Sequence, residues 1–205
     1  MKRPTAIRLT ALADCLLLFA CGVTTGGEAY CWGYTGDGTT TTNEVVTPVP
    51  VAGSLTFTSV SAGGGYTCGV TTGGEAYCWG YNFRGQLGDS TITSKVTPVP
   101  VAGGLTFASV SAGSNHTCGL TTDARVYCWG GGLDGQLGDG TTTFAQVTPV
   151  PVAGGLTFAS VNAGRHTCGL TTGGTAYCWG YNFRGQLGDG TTTTRYRPVR
   201  VSGQP

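Results

Sequence analysis

Between residues 104 and 154, apolar and polar positions alternate in short bursts, the period of strands. "LTFASVSAG" (Leu105–Gly113) alternates in this way. "HTCGLT" (His116–Thr121) and "RVYCWG" (Arg125–Gly130) follow, joined by a tight turn at Thr122–Ala124. In sister stretches that turn reads "TGGE" or "TGGT", which is hairpin chemistry. A fourth segment, "TPVPVAG" (148–154), is proline-rich and suits a sheet edge, where a missing N–H does little harm. Tyr127 and Trp129 flank Cys128 and project to the face opposite it, so both faces of the predicted sheet are bulky. That suits a sheet packed between neighbours rather than one facing water. Four short strands in about 50 residues is the size of one β-propeller blade.

The pattern repeats. Cys68, Cys118 and Cys168 are spaced by 50 residues, and Gly88, Gly138 and Gly188 keep the same step. Full units are predicted at 54–103, 104–154 and 155–203. A partial unit at 21–53 precedes them; it lacks the "LTFASVSAG" stretch and retains only "GYTGDG" of the "NFRGQLGD" segment. Residues 1–20 form a leader unlike any repeat, and 204–205 a tail. The expected fold is therefore all-β, about three and a half four-stranded blades forming an incomplete propeller or open arc. Such an arc leaves an uncovered blade face at each end, and each is expected to carry a Tyr/Trp pair. Exposed apolar faces normally find a partner. Continuation of the chain into further repeats and self-association through the open blade ends are the two expectations.

Each predicted hairpin carries cysteines ten positions apart. With the turn centred on residue 123, Cys118 falls opposite Cys128, and the same symmetry pairs Cys68 with Cys78, Cys168 with Cys178 and Cys21 with Cys31. Opposed residues of antiparallel strands lie about 4.5–5.5 Å apart at Cα, within disulfide reach. Each bridge would contribute at most roughly 3 kcal/mol through the denatured chain.

Composition narrows the function classes. Charged residues make up only 10% of the chain and the net charge is +1; residues 21–205 alone hold eight basic and nine acidic side chains. No basic stripe exists to neutralise phosphates, which excludes nucleic acid as a partner. The 37 glycines have no every-third register, which excludes collagen. Nine cysteines, eight of them in even pairs, point to an oxidising compartment. "MKRPTAIRLTALADCLLLFAC" places Lys2, Arg3 and Arg8 ahead of a short apolar run ending at Ala20, the layout of an export signal interrupted by Asp14. No stretch is long enough for an integral membrane segment. "LFAC" also resembles a lipoprotein cleavage site, but Phe19 is bulky for one and Cys21 already belongs to the repeat. The expected location is extracellular or at the cell surface.

No catalytic or metal site emerges. His116, Cys118 and Cys128 share a face and would suit zinc, as would His166, Cys168 and Cys178. Tyr66 replaces the histidine in the second unit while Cys68 and Cys78 remain, so the cysteine pair does not depend on it. "GQLGD" at Gly85–Asp89, Gly135–Asp139 and Gly185–Asp189 lacks the strand-to-helix context and lysine of a phosphate loop, and reads as turns. One carboxylate per unit is too sparse for a calcium loop. The two histidines occupy equivalent positions, which leaves no unique acid–base pair. No enzyme and no cofactor are expected. Arg195, Arg197 and Arg200 read as a solvated edge or a contact surface.

At "GYNFRGQLGDSTITSKVTPVPVAG" (Gly80–Gly103), preceded by "AGGGYTCGVTTGGEAYCWG", the chain resembles the regulator of chromosome condensation repeat family, across essentially all of Cys21–Gly203. The resemblance implies a propeller, in that family typically of seven blades, and the cysteine pairs are similar to those of its exported bacterial-type members. The founding members are nuclear exchange factors for a small GTPase and bind chromatin. That activity depends on loops outside the repeat motif, which this sequence does not match, and fold does not fix function. The expectation is a non-catalytic scaffold that binds a protein outside the cell or at its surface. Recognition is expected on one loop rim, at Tyr81, Phe83, Arg84, Leu133, Asp134, Tyr181, Phe183 and Arg184. The threonine-rich stretches Thr39–Thr42, Thr141–Thr143 and Thr191–Thr194 belong to the same surface. The alternatives are a dedicated inhibitor of a secreted hydrolase, a role filled by a β-lactamase inhibitor protein of this fold, and a carbohydrate-binding module using the rim aromatics.

Overall fold

Alternating patterns with turns every few residues produce sheets of four consecutive antiparallel strands. The computed structural model describes residues 7–8, 19–34 and 44–204. Blade 1 holds β1 (Ile7–Arg8), β2 (Phe19–Thr24), β3 (Ala29–Tyr34) and β4 (Glu44–Pro50). Blade 2 holds β5 (Phe57–Ala62), β6 (Tyr66–Thr71), β7 (Ala76–Gly80) and β8 (Lys95–Pro100). Blade 3 holds β9 (Phe107–Ala112), β10 (His116–Thr121), β11 (Val126–Gly130) and β12 (Gln146–Pro151). Blade 4 holds β13 (Phe158–Ala163), β14 (His166–Thr171), β15 (Ala176–Gly180) and β16 (Arg195–Arg200). In every blade the strands lie side by side in chain order, so the proline-bearing fourth strand is an edge. The first strands β5, β9 and β13 contact one another from blade to blade.

The first unit, expected to lack an opening strand, has a short one at Ile7–Arg8. Ile7 pairs with Thr24 and Arg8 with Val23. In blades 2 to 4 the corresponding pairs are Phe57 with Thr71, Phe107 with Thr121 and Phe158 with Thr171, so Ile7 stands in the register position of those phenylalanines. Lys2, Arg3, Asp14, Cys15 and Thr39–Thr42 lie outside the described residues.

The central hairpins keep the cysteines in register, with Cys118 opposite Cys128 and Cys68 opposite Cys78. Disulfides join Cys21 to Cys31, Cys68 to Cys78, Cys118 to Cys128 and Cys168 to Cys178, with Cα atoms 4.0–4.1 Å apart.

Blades stack with unlike faces together. The disulfide face of blade 2, with Val70, Ala76 and Leu87, packs on Phe107, Ala112 and Trp129 of blade 3. Blade 1 meets blade 2, and blade 3 meets blade 4, in the same way. This corrects the expectation of a Tyr/Trp pair at both ends. Only blade 1 presents its tryptophan face outward, at Trp32; blade 4 presents the disulfide face, where Leu170 is 42% exposed against 8% for the equivalent Leu120. The reason is directional: each sheet has one disulfide face and one aromatic face, and head-to-tail stacking leaves one of each kind uncovered.

Candidate functional site

The loops between third and fourth strands, 81–94, 131–145 and 181–194, emerge on the same side as the short loops 63–65 and 113–115, to which Tyr81 N–H and Gly131 N–H bond at Gly65 O and Asn115 O, both 2.9 Å. Each long loop is built on its "GQLGD" segment. Gly85 N–H donates to Asn82 O at 2.8 Å and Gly88 N–H to Gly85 O at 3.0 Å, which makes two successive turns. The Gln86 carbonyl accepts from Thr117 Oγ1 at 2.8 Å and Trp129 Nε1 at 3.0 Å of the next blade. Leu87 is fully buried between blades. A Cβ on Gly88 would lie 2.7 Å from Trp129 Nε1, so glycine is demanded by close approach. The Asp89 carboxylate accepts from Thr91 N–H at 3.1 Å and Thr91 Oγ1 at 2.7 Å. The motif is thereby absorbed by structure.

Sequence reasoning missed the clamp that shapes these loops. Asn82 is buried; its Oδ1 accepts from Leu87 N–H at 2.9 Å and its amide donates to Asp89, Thr91 O and Thr93 O. Asn182 repeats this network around Asp189. In blade 3 Gly132 replaces the asparagine, and its N–H bonds Thr143 O at 2.9 Å. The fixed seven-residue interval from asparagine to aspartate in two units, broken in the third, was the available signal.

Held this way, the loops project apolar side chains into solvent. Phe83 is 58% exposed, Leu133 51% and Phe183 68%. Tyr81 meets Phe83 edge-on at 4.9 Å between centroids, and Tyr181 meets Phe183 at 5.0 Å. Phe144, which the sequence did not single out, is 58% exposed and lies 3.9 Å below the Arg84 guanidinium, bridging the loops of blades 2 and 3. Arg84, Asp134 and Arg184 occupy equivalent positions: each donates its backbone N–H to the glutamine two residues on, at 2.9, 2.9 and 2.7 Å. The eight residues expected on the rim thus lie on one set of equivalent loops, with charge alternating in sign from blade to blade. Of the threonine-rich stretches, Thr141 and Thr191 serve their own loops by bonding Asp139 and Asp189. Arg195 is likewise engaged, its Nε donating to Asp189 at 2.7 Å. The Thr191 hydroxyl first, and then Arg195, hold the Asp189 carboxyl down at about 2.

The conceivable zinc sets are otherwise employed. Their cysteines are bonded to each other, and His116 Nε2 meets Thr167 Oγ1 of blade 4 at 2.7 Å. Burial, and secondarily His166, lowers His116 to about 3, so it is neutral. No group of three or more His, Cys, Asp or Glu is arranged for a metal among the described residues.

The pattern of the Regulator of chromosome condensation (RCC1) repeat matches residues 57–86, 107–136 and 160–186, and a second form of it matches 73–120 and 123–170. No curated protein sequence matches the chain. Among solved structures, human WBSCR16 is similar at 22% identity with a TM-score of 0.84, over 98% of this chain and 54% of its own. Yeast RCC1 (Prp20) bound to Kap60 is similar at 20% identity and 0.80, over 91% of this chain and 47% of its own. The ectodomain of the Physcomitrella patens receptor kinase CR4 is similar at 28% identity and 0.55, over 84% and 40%. The chain thus spans about half the length of the structures it matches. With repeat matches running through residues 57–186 and four antiparallel four-stranded blades, the chain belongs to the RCC1 repeat family of β-propellers.

Proposed function

We propose that this chain is a non-catalytic scaffold that binds a protein, outside the cell or at its surface, through the loop rim of blades 2 to 4. The observation that carries this reading is the exposed row Phe83, Leu133, Phe144 and Phe183, accompanied by Arg84, Asp134 and Arg184. Exposed aromatics beside arginine are the composition of protein-binding hot spots. The reversal of charge at Asp134 favours a folded protein over a polysaccharide, whose repeating units present one charge pattern throughout. Yeast RCC1, which is similar to this chain in fold, is itself found bound to a protein, Kap60. Four disulfides favour an oxidising location, and the moss relative is a receptor ectodomain.

The test is capture by the immobilised chain of purified secreted proteins, secreted hydrolases included, and of cell-wall polysaccharide, with the double variant Phe83→Ser/Phe183→Ser beside the wild type. Binding of a protein weakened at least tenfold in the variant, at unchanged melting temperature, is the expected result. Retention of polysaccharide alone, or a protein bound equally by both chains, overturns it.

A further inference from the structure

The sheet of blade 1 leaves one backbone donor over. The disulfide pair Cys21 and Cys31, with Cα atoms 4.1 Å apart, marks the opposed residues of β2 and β3 that exchange no hydrogen bonds. Ala29, opposite Val23, belongs to the same set, so its N–H points away from β2. Val51 N–H donates to Ala29 O at 2.9 Å, but the reciprocal bond is not formed, and the N–H of buried Ala29 has no acceptor among the described residues. Blades 2 and 3 repeat the one-sided contact, Val101 N–H meeting Ala76 O at 2.9 Å and Val152 N–H meeting Val126 O at 3.0 Å. A buried N–H without an acceptor is costly, so such a group marks a place where another molecule's oxygen belongs.

Blade 4 shows which chemistry fits there. Val201 N–H donates to Ala176 O at 3.1 Å, as in the other blades, and the side-chain amide of Gln204 takes up the groups that remain. Its Oε1 accepts from Ala176 N–H at 2.6 Å, and its Nε2 donates to Ala176 O at 2.9 Å and to Val201 O at 2.7 Å. One acceptor beside two donors is the inventory of a primary carboxamide; a carboxylate has no donor at all. In blade 1 Ser54 stands at the Gln204 position, two residues after Ala52 as Gln204 is after Ser202. Its short side chain leaves a cleft of about 380 Å³, whose lining includes Glu28, Ala29, Tyr30, Pro50, Val51 and Leu55. In blades 2 and 3 the same position is Gly104 or Gly155, at φ of 63° and 65°, whereas Ser54 and Gln204 both lie outside that left-handed region.

We propose that the blade 1 cleft binds a primary carboxamide, the side chain of a glutamine or asparagine on a protein partner. The carboxamide oxygen accepts from Ala29 N–H, and its NH2 donates to Ala29 O and Val51 O, as Gln204 does on Ala176 and Val201. Glu28, exposed and lining the cleft, repels a carboxylate, which separates glutamine from glutamate. No lysine, arginine or histidine lines the cleft to hold the α-carboxylate of a free amino acid, so the occupant is a side chain within a polypeptide. The cleft lies at the hairpin-turn end of the blades, opposite the loop rim, and does not depend on the binding proposed there.

Solution NMR of the full chain tests this, with the Ala29 backbone amide as reporter and N-acetyl-glutamine N′-methylamide as probe. The Ala29 resonance is expected to shift and saturate as the probe is added, and the glutamate analogue to bind about fivefold more weakly or worse. Ser54→Gln is expected to fill the cleft from its own chain and abolish the shift. Gln204→Ala is expected to vacate the same groups on blade 4 and make Ala176 a second responding amide, which keeps the proposal falsifiable if Ser54→Gln does not fold. An Ala29 amide unmoved by the probe, or moved equally by the glutamate analogue, overturns the proposal. So does a shift that persists undiminished in Ser54→Gln. Free L-glutamine binding more tightly than the capped probe overturns the assignment to a protein side chain.

Discussion

His116 shows how one buried side chain couples blades and senses pH. Its ring bonds Thr167, and burial lowers its folded value to about 3, below the unfolded value of roughly 6.5. The unfolded chain therefore binds a proton that the folded one refuses. Stability from this group is intact above pH 6.5 and is lost as pH falls from there toward 3, at up to about 1.4 kcal/mol per unit. In blade 2 a tyrosine does the same job without titrating in this range: Tyr66 Oη donates to His116 O at 2.6 Å and lies 3.0 Å from Thr117 Oγ1. His116→Tyr is expected to fold and, in urea titrations, to lose about 2 kcal/mol less than the wild type between pH 6.5 and 4.5. Ala124 is a second informative residue. Its φ of 65° occupies the left-handed region taken by Gly27, Gly74 and Gly174 in the other hairpins, and it aims the carbonyl at Phe158 N–H. Ala124→Gly is expected to stabilise by about 0.5–1 kcal/mol in thermal or urea melts, relief of strain exceeding the added chain entropy. The glycines of the sister turns mark this position in the sequence itself. The protonation state of His116 was not legible there, because it depends on a neighbouring blade.

Each hairpin is a stapled, self-contained element, yet the staples differ in access. Cys118 and Cys128 are fully buried by blade 4, as Cys68 and Cys78 are by blade 3, whereas Cys168 on the open face is only half-buried. Thiol–disulfide exchange requires approach to sulfur. At low protein concentration, limited reduction followed by alkylation and peptide mapping is expected to label Cys168 and Cys178 before any other described pair. Uniform labelling would mean that the blades separate faster than the thiol attacks. The ten-residue spacing carried the hairpin register, since the turn midpoint dictates which residues oppose. It carried nothing about which bridge would be reached first.

Across the whole molecule, each blade rests on its neighbours only, so protection should rise where both faces are covered. Hydrogen exchange is expected to be slowest in β6–β7 and β10–β11 and faster in β14–β15, measured where the chain is monomeric. Equal protection in blades 3 and 4 would contradict the exposure of Leu170 and Cys168. Local pattern was enough to define the blade: alternation set the strands, the turn residues set the hairpins, and cysteine spacing set the register. These are short-range matters, settled within about 50 residues. The opening strand of blade 1 escaped that pattern, because Ile7–Arg8 share no motif with "LTFASVSAG" and are recruited through backbone pairing to Thr24 and Val23. The rim was legible as exposed aromatics on repeated loops, but Phe144 joined it only when Arg84 of another blade reached across. Which face of each blade looks forward was also undecided, because a sheet with two bulky faces can stack in either direction. Packing between blades resolved it, through Trp129 and Thr117 meeting the Gln86 carbonyl and Gly88 making room for the indole. That choice left a tryptophan at one end and a disulfide at the other.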